Sequence, residues 1–277
     1  MFRKCLIAAL VALAFSSTGA HARASAQLSL HDGLIWADVE CSGQTLHFVV
    51  DTGAASSCVN LAAARRLGIQ MRSSLSVAGV GGGTTGYRCT GFNGSVDGMR
   101  LPAEVVALDL SGPARCCSQP IDGLIGADFF RGRIVRIDYA RKLLSLVDAA
   151  PARGIDLLFA NGVICVPVAV NGGDPRWTRL DTGCTDALDW CEASGTPAQP
   201  HGKTVALAGW LGSASCADVT VGRAHLAGVP VRMHAREIFP GEAGLLGNGV
   251  LSRYRVTIDG IAKRLVLEGS RETPPRE

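Results

Sequence analysis

Long apolar runs and clustered charge are both scarce in this chain. Beyond the apolar run that ends at Phe15, no stretch approaches the roughly 20 residues that a membrane-spanning helix requires. Lysine and arginine number 27, aspartate and glutamate 24, and the basic residues are scattered apart from short clusters such as Arg65-Arg66. A nucleic-acid-binding protein typically carries a basic stripe. We therefore expect no membrane span in the mature chain and no nucleic-acid partner.

Several signatures of catalysis and of metal binding are also missing. The sequence has no Gly-x-Ser-x-Gly, which is the commonest serine-hydrolase signature, and no His-Glu-x-x-His or His-x-His pattern. Cys116 and Cys117 are adjacent, whereas paired zinc ligands are usually separated by two or more residues. We therefore expect no bound metal and no cofactor.

Two glycine-containing segments match nucleotide-binding motifs only in their letters. Residues 81–86 fit the dinucleotide fingerprint, but residues 87–97 contain two glycines and no helical period, so no helix follows that could bind a pyrophosphate. Gly202-Lys203-Thr204 resembles the end of a P-loop, yet Pro197 occupies the position of the required upstream glycine. Neither segment indicates a nucleotide site.

The first 22 residues have the composition of a secretory signal peptide. Arg3 and Lys4 precede an apolar run from Cys5 to Phe15, and Ala20-His21-Ala22 forms a small-x-small cleavage site. Ala24-Ser25-Ala26 is a second acceptable site. We expect residues 1–22 to be removed and the mature protein to be exported, either periplasmic or secreted.

Cysteine is abundant, with ten residues in the chain and nine after removal of the signal. Export permits disulfides, but an odd number leaves at least one thiol unpaired within the chain, and connectivity cannot be read from spacing. We expect any bridges to lie within each half of the chain, with Cys116 or Cys117 as the spare thiol. The remaining cysteines are Cys41, Cys58, Cys89, Cys165, Cys184, Cys191 and Cys216.

The triplet Asp-Thr-Gly occurs twice, at residues 51–53 and 181–183. Each copy follows an extended, mainly apolar run, residues 47–50 and residues 177–180. A catalytic carboxylate dyad needs two acids so close that they cannot both ionise, and a chain that duplicates one acid-bearing unit meets this need by symmetry. The two triplets therefore indicate one shared site.

The duplication extends beyond the triplets. A shift of 130 residues superposes Ile35 to Val39 on Cys165 to Ala169 without a gap, and it also superposes the glycine-bracketed loops 78–82 and 208–212. A third block, Asp122 to Gly126, matches Ala243 to Gly247 at a shift of 121. Internal repetition in this order predicts two similar lobes.

Periodicity and glycine-rich turns predict an all-β chain with few, short helices. The clearest helix runs from Leu61 to Leu67 and ends at Gly68. We expect a first lobe over residues 23–150 and a second over residues 151–277. The predicted strands span 34–41, 45–51, 74–78, 85–92, 103–108, 134–138 and 143–147 in the first lobe, and 163–170, 176–181, 204–208, 214–221, 229–233, 254–259 and 264–268 in the second.

Taken together, these patterns resemble the aspartic proteases of the pepsin and retropepsin superfamily. An apolar strand leads into Asp-Thr-Gly, a glycine-rich loop follows, and an apolar-apolar-Gly block closes the unit, twice over nearly the whole mature chain. The resemblance implies a bilobal acid-protease fold, a double β-barrel whose active-site cleft lies between two retropepsin-like lobes. It also implies a polypeptide substrate and a monomeric chain that is similar to a fused retroviral dimer.

The resemblance assigns roles to the residues of each motif. Asp51 and Asp181 would be the catalytic dyad, and Thr52, Gly53, Thr182 and Gly183 would position it. The flap and substrate-binding residues would be Gly79, Val80, Gly81, Gly82, Gly209, Trp210, Leu211 and Gly212. Leu124, Ile125, Gly126, Leu245, Leu246 and Gly247 would brace the two active-site loops.

Two features leave alternatives open. Cys184 follows the second triplet where the family usually has Ser, Thr or Ala, so a catalytically inactive peptide-binding or inhibitory homologue is the second hypothesis, and a redox-regulated surface protein is the third. A thiol nucleophile would need a histidine brought close to Cys184 by the fold. Trp210 would either contact substrate at a flap tip or pack against its own lobe.

Overall fold

A computed structural model of the protein describes residues 22–80, 82–191, 204–207 and 210–269. Strands dominate it and the helices are short, so the predicted all-β fold is confirmed. Within the described residues, no helix is both long and apolar enough to cross a membrane.

The first lobe contains twelve strands and three short helices. In chain order they are β1 (Ala22–His31), β2 (Leu34–Cys41), β3 (Gln44–Val50), β4 (Cys58–Asn60), α1 (Leu61–Arg66), β5 (Met71–Gly79), β6 (Gly82–Cys89), β7 (Ser95–Val96), β8 (Met99–Arg100), β9 (Val105–Leu108), α2 (Ser111–Ala114), β10 (Gly123–Ile125), α3 (Ala127–Phe130), β11 (Ile134–Asp138) and β12 (Leu143–Val147).

The described part of the second lobe continues with eleven strands and one helix. They are β13 (Ile155–Asp156), β14 (Leu158–Ala160), β15 (Val163–Val170), β16 (Arg176–Leu180), β17 (Leu188–Cys191), β18 (Thr204–Leu207), β19 (Trp210–Val221), β20 (Ala224–His234), β21 (Gly244–Leu246), α4 (Asn248–Leu251), β22 (Tyr254–Asp259) and β23 (Arg264–Gly269).

The two lobes repeat one arrangement of strands around each Asp-Thr-Gly loop. β3 pairs in parallel with β10, and β10 pairs in antiparallel fashion with β4. The second lobe repeats this with β16, β21 and β17. Val49 lies opposite Leu124 and Arg179 lies opposite Leu245, so the register is also the same. The repeated motifs therefore occupy equivalent places in the fold.

Six strands at one end of a 15-stranded sheet join the lobes, in the order β13-β23-β22-β11-β12-β1. At the centre of these strands, Val135 lies opposite Ile258 and Ile137 lies opposite Val256. The 121-residue shift carries Val135 to Val256 and Ile137 to Ile258, so it converts each of these two pairs into the other. Between them Arg136 faces Thr257 and donates from Nε to its Oγ1 at 3.3 Å. A local pseudo-twofold axis therefore passes between Arg136 and Thr257.

Buried apolar residues form two clusters. The larger cluster includes side chains of both lobes, such as Phe48, Phe129 and Leu180. The smaller one belongs to the first lobe and is here called the satellite cluster. It consists of Leu34, Trp36, Val49, Cys58, Leu108, Leu110 and Ile121.

The register of the first repeated block differs by one residue from the predicted superposition. Trp36 lies opposite Val49 in the first lobe, whereas Cys165 lies opposite Arg179 in the second. Cys165, not Val166, is therefore the counterpart of Trp36. Twelve residues separate Trp36 from Val49, whereas thirteen separate Cys165 from Arg179, and a one-residue slip moves every side chain to the other face of the strand.

The expected disulfide bonds are not formed among the described residues. The thiols of Cys41, Cys58, Cys89 and Cys165 are buried, and free cysteine packs well as a small apolar residue. Cys116 and Cys216 are exposed free thiols, and Cys117 and Cys184 are partly buried free thiols. Packing, rather than cross-linking, accounts for the buried cysteines of this structure.

Candidate active site

The two aspartates lie at equivalent strand ends. The backbone N–H of Asp51 donates to the carbonyl of Ile125 at 2.9 Å, and that of Asp181 donates to the carbonyl of Leu246 at 2.9 Å. Ile125 and Leu246 are fully buried members of the two blocks expected to brace these loops. The backbone therefore fixes both acids in the same way.

Glycine is required at the third position of each triplet. A Cβ atom on Gly53 would lie 2.5 Å from Oδ1 of Asp181, and one on Gly183 would lie 2.6 Å from Cγ of Asp51. Real Cβ atoms do not approach other atoms so closely. Each carboxyl group therefore rests directly against the glycine of the other lobe, as close backbone approach allows.

The carboxyl groups of Asp51 and Asp181 meet at the junction of the lobes, each against the glycine of the other triplet, and each alters the pKa of the other. Oδ1 of Asp51 also accepts from the N–H groups of Gly53 at 3.0 Å and Ala54 at 3.1 Å, whereas Oδ1 of Asp181 accepts from Gly183 at 2.8 Å. Two backbone N–H groups therefore donate to the carboxyl of Asp51 and one donates to that of Asp181.

Burial raises the pKa of Asp51, against the opposing effect of the Ala54 and Gly53 N–H groups. Burial and then the negative charge of Asp51 raise the pKa of Asp181 well above its usual value. Two charged carboxylates in contact repel each other, so one proton is retained by the pair. This arrangement favours an ionised Asp51 beside a protonated Asp181.

Thr52 and Thr182 form a reciprocal set of bonds between the lobes. Oγ1 of Thr52 donates to the carbonyl of Leu180 at 2.7 Å and accepts from the N–H of Thr182 at 3.1 Å. Oγ1 of Thr182 donates to the carbonyl of Val50 at 2.7 Å and accepts from the N–H of Thr52 at 3.0 Å. Both threonines are fully buried, so these bonds fix the separation of the two loops.

The blocks expected to brace the loops do contact them closely. A Cβ atom on Gly126 would lie 2.6 Å from the backbone nitrogen of Ser57, and one on Gly247 would lie 2.7 Å from the carbonyl oxygen of Cys184. Leu124 and Leu245 pair with the strands that carry the aspartates. Any side chain larger than hydrogen at these glycines would push the active-site loops out of place.

The predicted flap residues are only partly within the described structure. β5 and β6 form a hairpin in which Gly79 lies opposite Gly82, and Val80 at its end is 44% exposed. Gly81 and Gly209 lie outside the described residues. In the second lobe Leu207 lies opposite Trp210, so Trp210, like Leu211 and Gly212, is a residue of β19 rather than a residue between strands.

Cys184 belongs to a polar network in the second lobe that the sequence analysis did not identify. Its thiol donates to Oδ2 of Asp189 at 3.4 Å, and Oδ1 of Asp189 lies 2.7 Å from Nε2 of His234. Arg232 makes a two-pronged ion pair with Asp186. Arg232 and His234 lie more than 40 residues from their partners in sequence, so only the fold brings them together.

This network does not favour a thiol nucleophile. Burial, followed by the negative charges of Asp181 and Asp189, raises the pKa of the Cys184 thiol far above its ordinary value. The carboxylate that accepts from this thiol is too weak a base to deprotonate it, and the neutral thiol is a poor nucleophile. Ligand atoms of Cys184, Asp186 and Asp189 lie within 4.8 Å of one another, but Arg232 and His234 already contact the two carboxylates.

A second unpredicted group, Arg179, contacts the loop that carries Asp51. Arg179, which the sequence analysis placed in a mainly apolar run, is buried and forms a forked ion pair with buried Glu242 at 2.6 Å for each bond. The remaining nitrogen of its guanidinium donates to the carbonyl of Gly53 in the opposite lobe at 2.9 Å. Only the folded chain reveals this partner, because Glu242 lies 63 residues later.

Asp181→Asn is expected to change the pH dependence of stability. A carboxyl with a raised pKa in the folded state stabilises the fold fully below its unfolded value of 3.8, and this contribution is lost as pH rises through the folded pKa. Asparagine does not titrate, so the thermal midpoint of the variant should rise relative to the unsubstituted protein between about pH 4 and about pH 7. Thermal unfolding of both proteins at about pH 4 and about pH 7 checks this. The prediction is contradicted if the midpoint of the variant minus that of the unsubstituted protein is the same at the two pH values.

Comparison with known families adds an independent observation. Residues 37–129 match the model of the family described as Aspartyl protease. The matched segment includes the first Asp-Thr-Gly loop, the β5–β6 hairpin and the block at Leu124 to Gly126. A search of curated proteins found no match to the chain.

Proposed function

Starting from a first lobe that matches the aspartyl proteases, we propose that the chain is an aspartic endopeptidase that uses Asp51 and Asp181 as one catalytic pair. The family match supports a protease-type function. The observation that carries the finer proposal is the placement of two carboxyl groups at one junction, where each rests against the glycine of the other lobe's Asp-Thr-Gly loop and each alters the pKa of the other. A pair of structural turns would not need two acids against each other.

In the proposed reaction a water molecule lies between the two carboxyl groups. Ionised Asp51 accepts a proton from this water as its oxygen attacks the peptide carbonyl, and Asp181 donates its proton to the carbonyl oxygen. The opposite pKa effects of backbone N–H groups on Asp51 and of neighbouring charge on Asp181 support this assignment. The acid and the base would exchange roles when the leaving amine is protonated.

The proposed substrate is an extended polypeptide that binds across the junction of the lobes. The hairpin of β5 and β6 presents Val80 at its end, where a large apolar side chain remains 44% exposed. An exposed apolar residue between glycines is well suited to close over a substrate and exclude water. Main-chain hydrogen bonds to an extended peptide would give affinity with modest sequence preference.

Turnover of a denatured protein by the purified mature protein tests the proposal. We expect cleavage within about pH 3 to 7, because a carboxyl pair that shares one proton works where one member is ionised and the other is not. A peptide that carries a secondary alcohol in place of the scissile carbonyl should inhibit it, since this group imitates the tetrahedral intermediate. Binding of that peptide with no turnover at any pH would support an inactive peptide-binding homologue and would overturn the proposal.

A further inference from the structure

The lobes differ sharply beside their aspartates. Val49 and Ile121 belong to the apolar satellite cluster of the first lobe. Strand register makes Arg179 the counterpart of Val49, and the 121-residue shift makes Glu242 the counterpart of Ile121. The second lobe therefore has a buried ion pair where the first lobe has two packed aliphatic side chains.

Arg179 is held on several sides. Glu242 binds two nitrogens of its guanidinium at 2.6 Å each, and the ring of Phe239 lies 3.5 Å from the guanidinium carbon. The third nitrogen donates to the carbonyl of Gly53 at 2.9 Å. An arginine of the second lobe is therefore hydrogen-bonded to the Asp51 loop of the first. The side chains of Arg179 and Glu242 are only 10% and 9% exposed.

Packing alone does not require this ion pair. Removing two charges from water costs several kcal/mol, and well-packed apolar residues of similar volume often serve as well or better. The first lobe of the same chain solves the same packing problem with Val49 and Ile121. The charged pair must therefore contribute something that an apolar pair cannot.

We propose that Arg179, oriented by Glu242, is a positioning residue for the aspartate pair: it fixes the loop of Asp51 from the opposite lobe and supplies a permanent positive charge beside both carboxyl groups. This inference rests on the proposed function for its catalytic meaning, but not for its geometry. It makes the pair asymmetric, because uncharged Val49 stands at the equivalent position of the first lobe.

Three acidic side chains surround Arg179. Asp51 faces it from the opposite lobe, Asp181 follows it by two residues in the same lobe, and Glu242 binds it from the segment before β21. Arg179 lowers the pKa of both aspartates, against the effect of burial.

The nearby thiols stay neutral in the acid range. Burial raises the pKa of Cys165 to about 11, and burial also raises the pKa of Cys58 and of Cys184. Arg179 therefore adds its charge to the backbone N–H groups of Gly53 and Ala54 in favouring an ionised Asp51 at acid pH.

The decisive variant is Arg179→Val with Glu242→Ile, which gives the second lobe the residues of the first. Total side-chain volume is nearly preserved, so we expect the fold to persist. Arg179→Lys retains the charge but loses the planar fork, and it is the second variant should the double substitution not fold. Arg255→Met with Glu268→Leu is the matched control, because it removes a forked ion pair on β22 and β23 away from the aspartates.

Two readouts are needed, kcat and KM as functions of pH and the pH titration of the aspartate carboxyl carbons by NMR. We expect the double variant to lose about tenfold or more in kcat with little change in KM, and to shift both the activity profile and the carboxyl titration to higher pH. Arg179→Lys should keep the titration near that of the unsubstituted protein and lose part of kcat. The control should match the unsubstituted protein in both readouts.

The two readouts separate this inference from the proposed function. Carboxyl titration in the double variant that coincides with the unsubstituted protein would overturn the role of Arg179, whether or not peptide cleavage is observed. A shifted titration in a protein without turnover would support the role of Arg179 and overturn the proposed function instead.

Discussion

Asp51→Asn and Asp181→Asn each lower kcat/KM for peptide cleavage by at least about 100-fold, because each removes the base or the acid of the proposed pair. An amide can occupy the same space and accept similar hydrogen bonds, yet it cannot exchange a proton with the attacking water. The thermal midpoint should be unchanged or raised, since one of two crowded acids is removed. Steady-state cleavage of a denatured protein and thermal unfolding measure the two effects.

Asp38→Asn is the control for this experiment. Asp38 is an exposed carboxylate of the first lobe that pairs with His47, so its substitution should leave cleavage unchanged. Retention of more than about 1% of activity in Asp51→Asn or Asp181→Asn would argue for another catalyst, because general acid–base catalysis contributes typically 10²–10⁴-fold.

Thr52→Val lowers the thermal midpoint strongly, even though valine and threonine have nearly the same shape. The substitution leaves the carbonyl of Leu180 and the N–H of Thr182 without their partner in a buried environment. Each buried group left unsatisfied costs about 1–3 kcal/mol. Two such groups correspond to a fall of roughly 5–20 °C for a chain of this size.

Thr52→Ser separates the hydroxyl from the rest of the side chain. Serine keeps the donor and the acceptor, so most of the stability should return. Thr182→Val should repeat the effect of Thr52→Val, because it removes the corresponding bonds to Val50 and Thr52. Equal midpoints for Thr52→Val and Thr52→Ser would show that the bonds between the lobes contribute little.

The sequence predicts the repeated part of this fold well. Period-two patterns predict β2, β11 and β12 within the bounds that the structure has, and the glycine after Leu67 ends α1 where expected. The resemblance to pepsin-like and retropepsin-like aspartic proteases is confirmed by the family match of the first lobe. Local periodicity and repeated motifs survive in sequence because each is decided by neighbours along the chain.

Long-range pairing accounts for what the sequence did not reveal. β1 was not predicted, since its first half pairs with β12 more than 100 residues later. The one-residue difference between Trp36 and Cys165 likewise depends on a longer connection that a gap-free superposition cannot show. Both errors concern which strands meet, not which residues form strands.

Buried polar residues were the other omission. Arg179 in a strand gives no sign that it will be buried, because its partner Glu242 comes from a distant segment. The network of Asp189 and His234 is equally invisible before folding. Abundant cysteine indicated cross-links, whereas several of the thiols fill apolar space.

The ion pair beside Asp181 has a consequence for how such a site can evolve. In a symmetric homodimer one gene encodes both halves of the site, so an arginine beside one aspartate must also appear beside the other. Two positive guanidinium groups would then both oppose the one proton that the aspartate pair retains. A chain that carries both halves can alter one copy and leave the other unchanged. Val49 and Arg179 are such a difference: they occupy equivalent positions of two lobes that otherwise repeat the same strands.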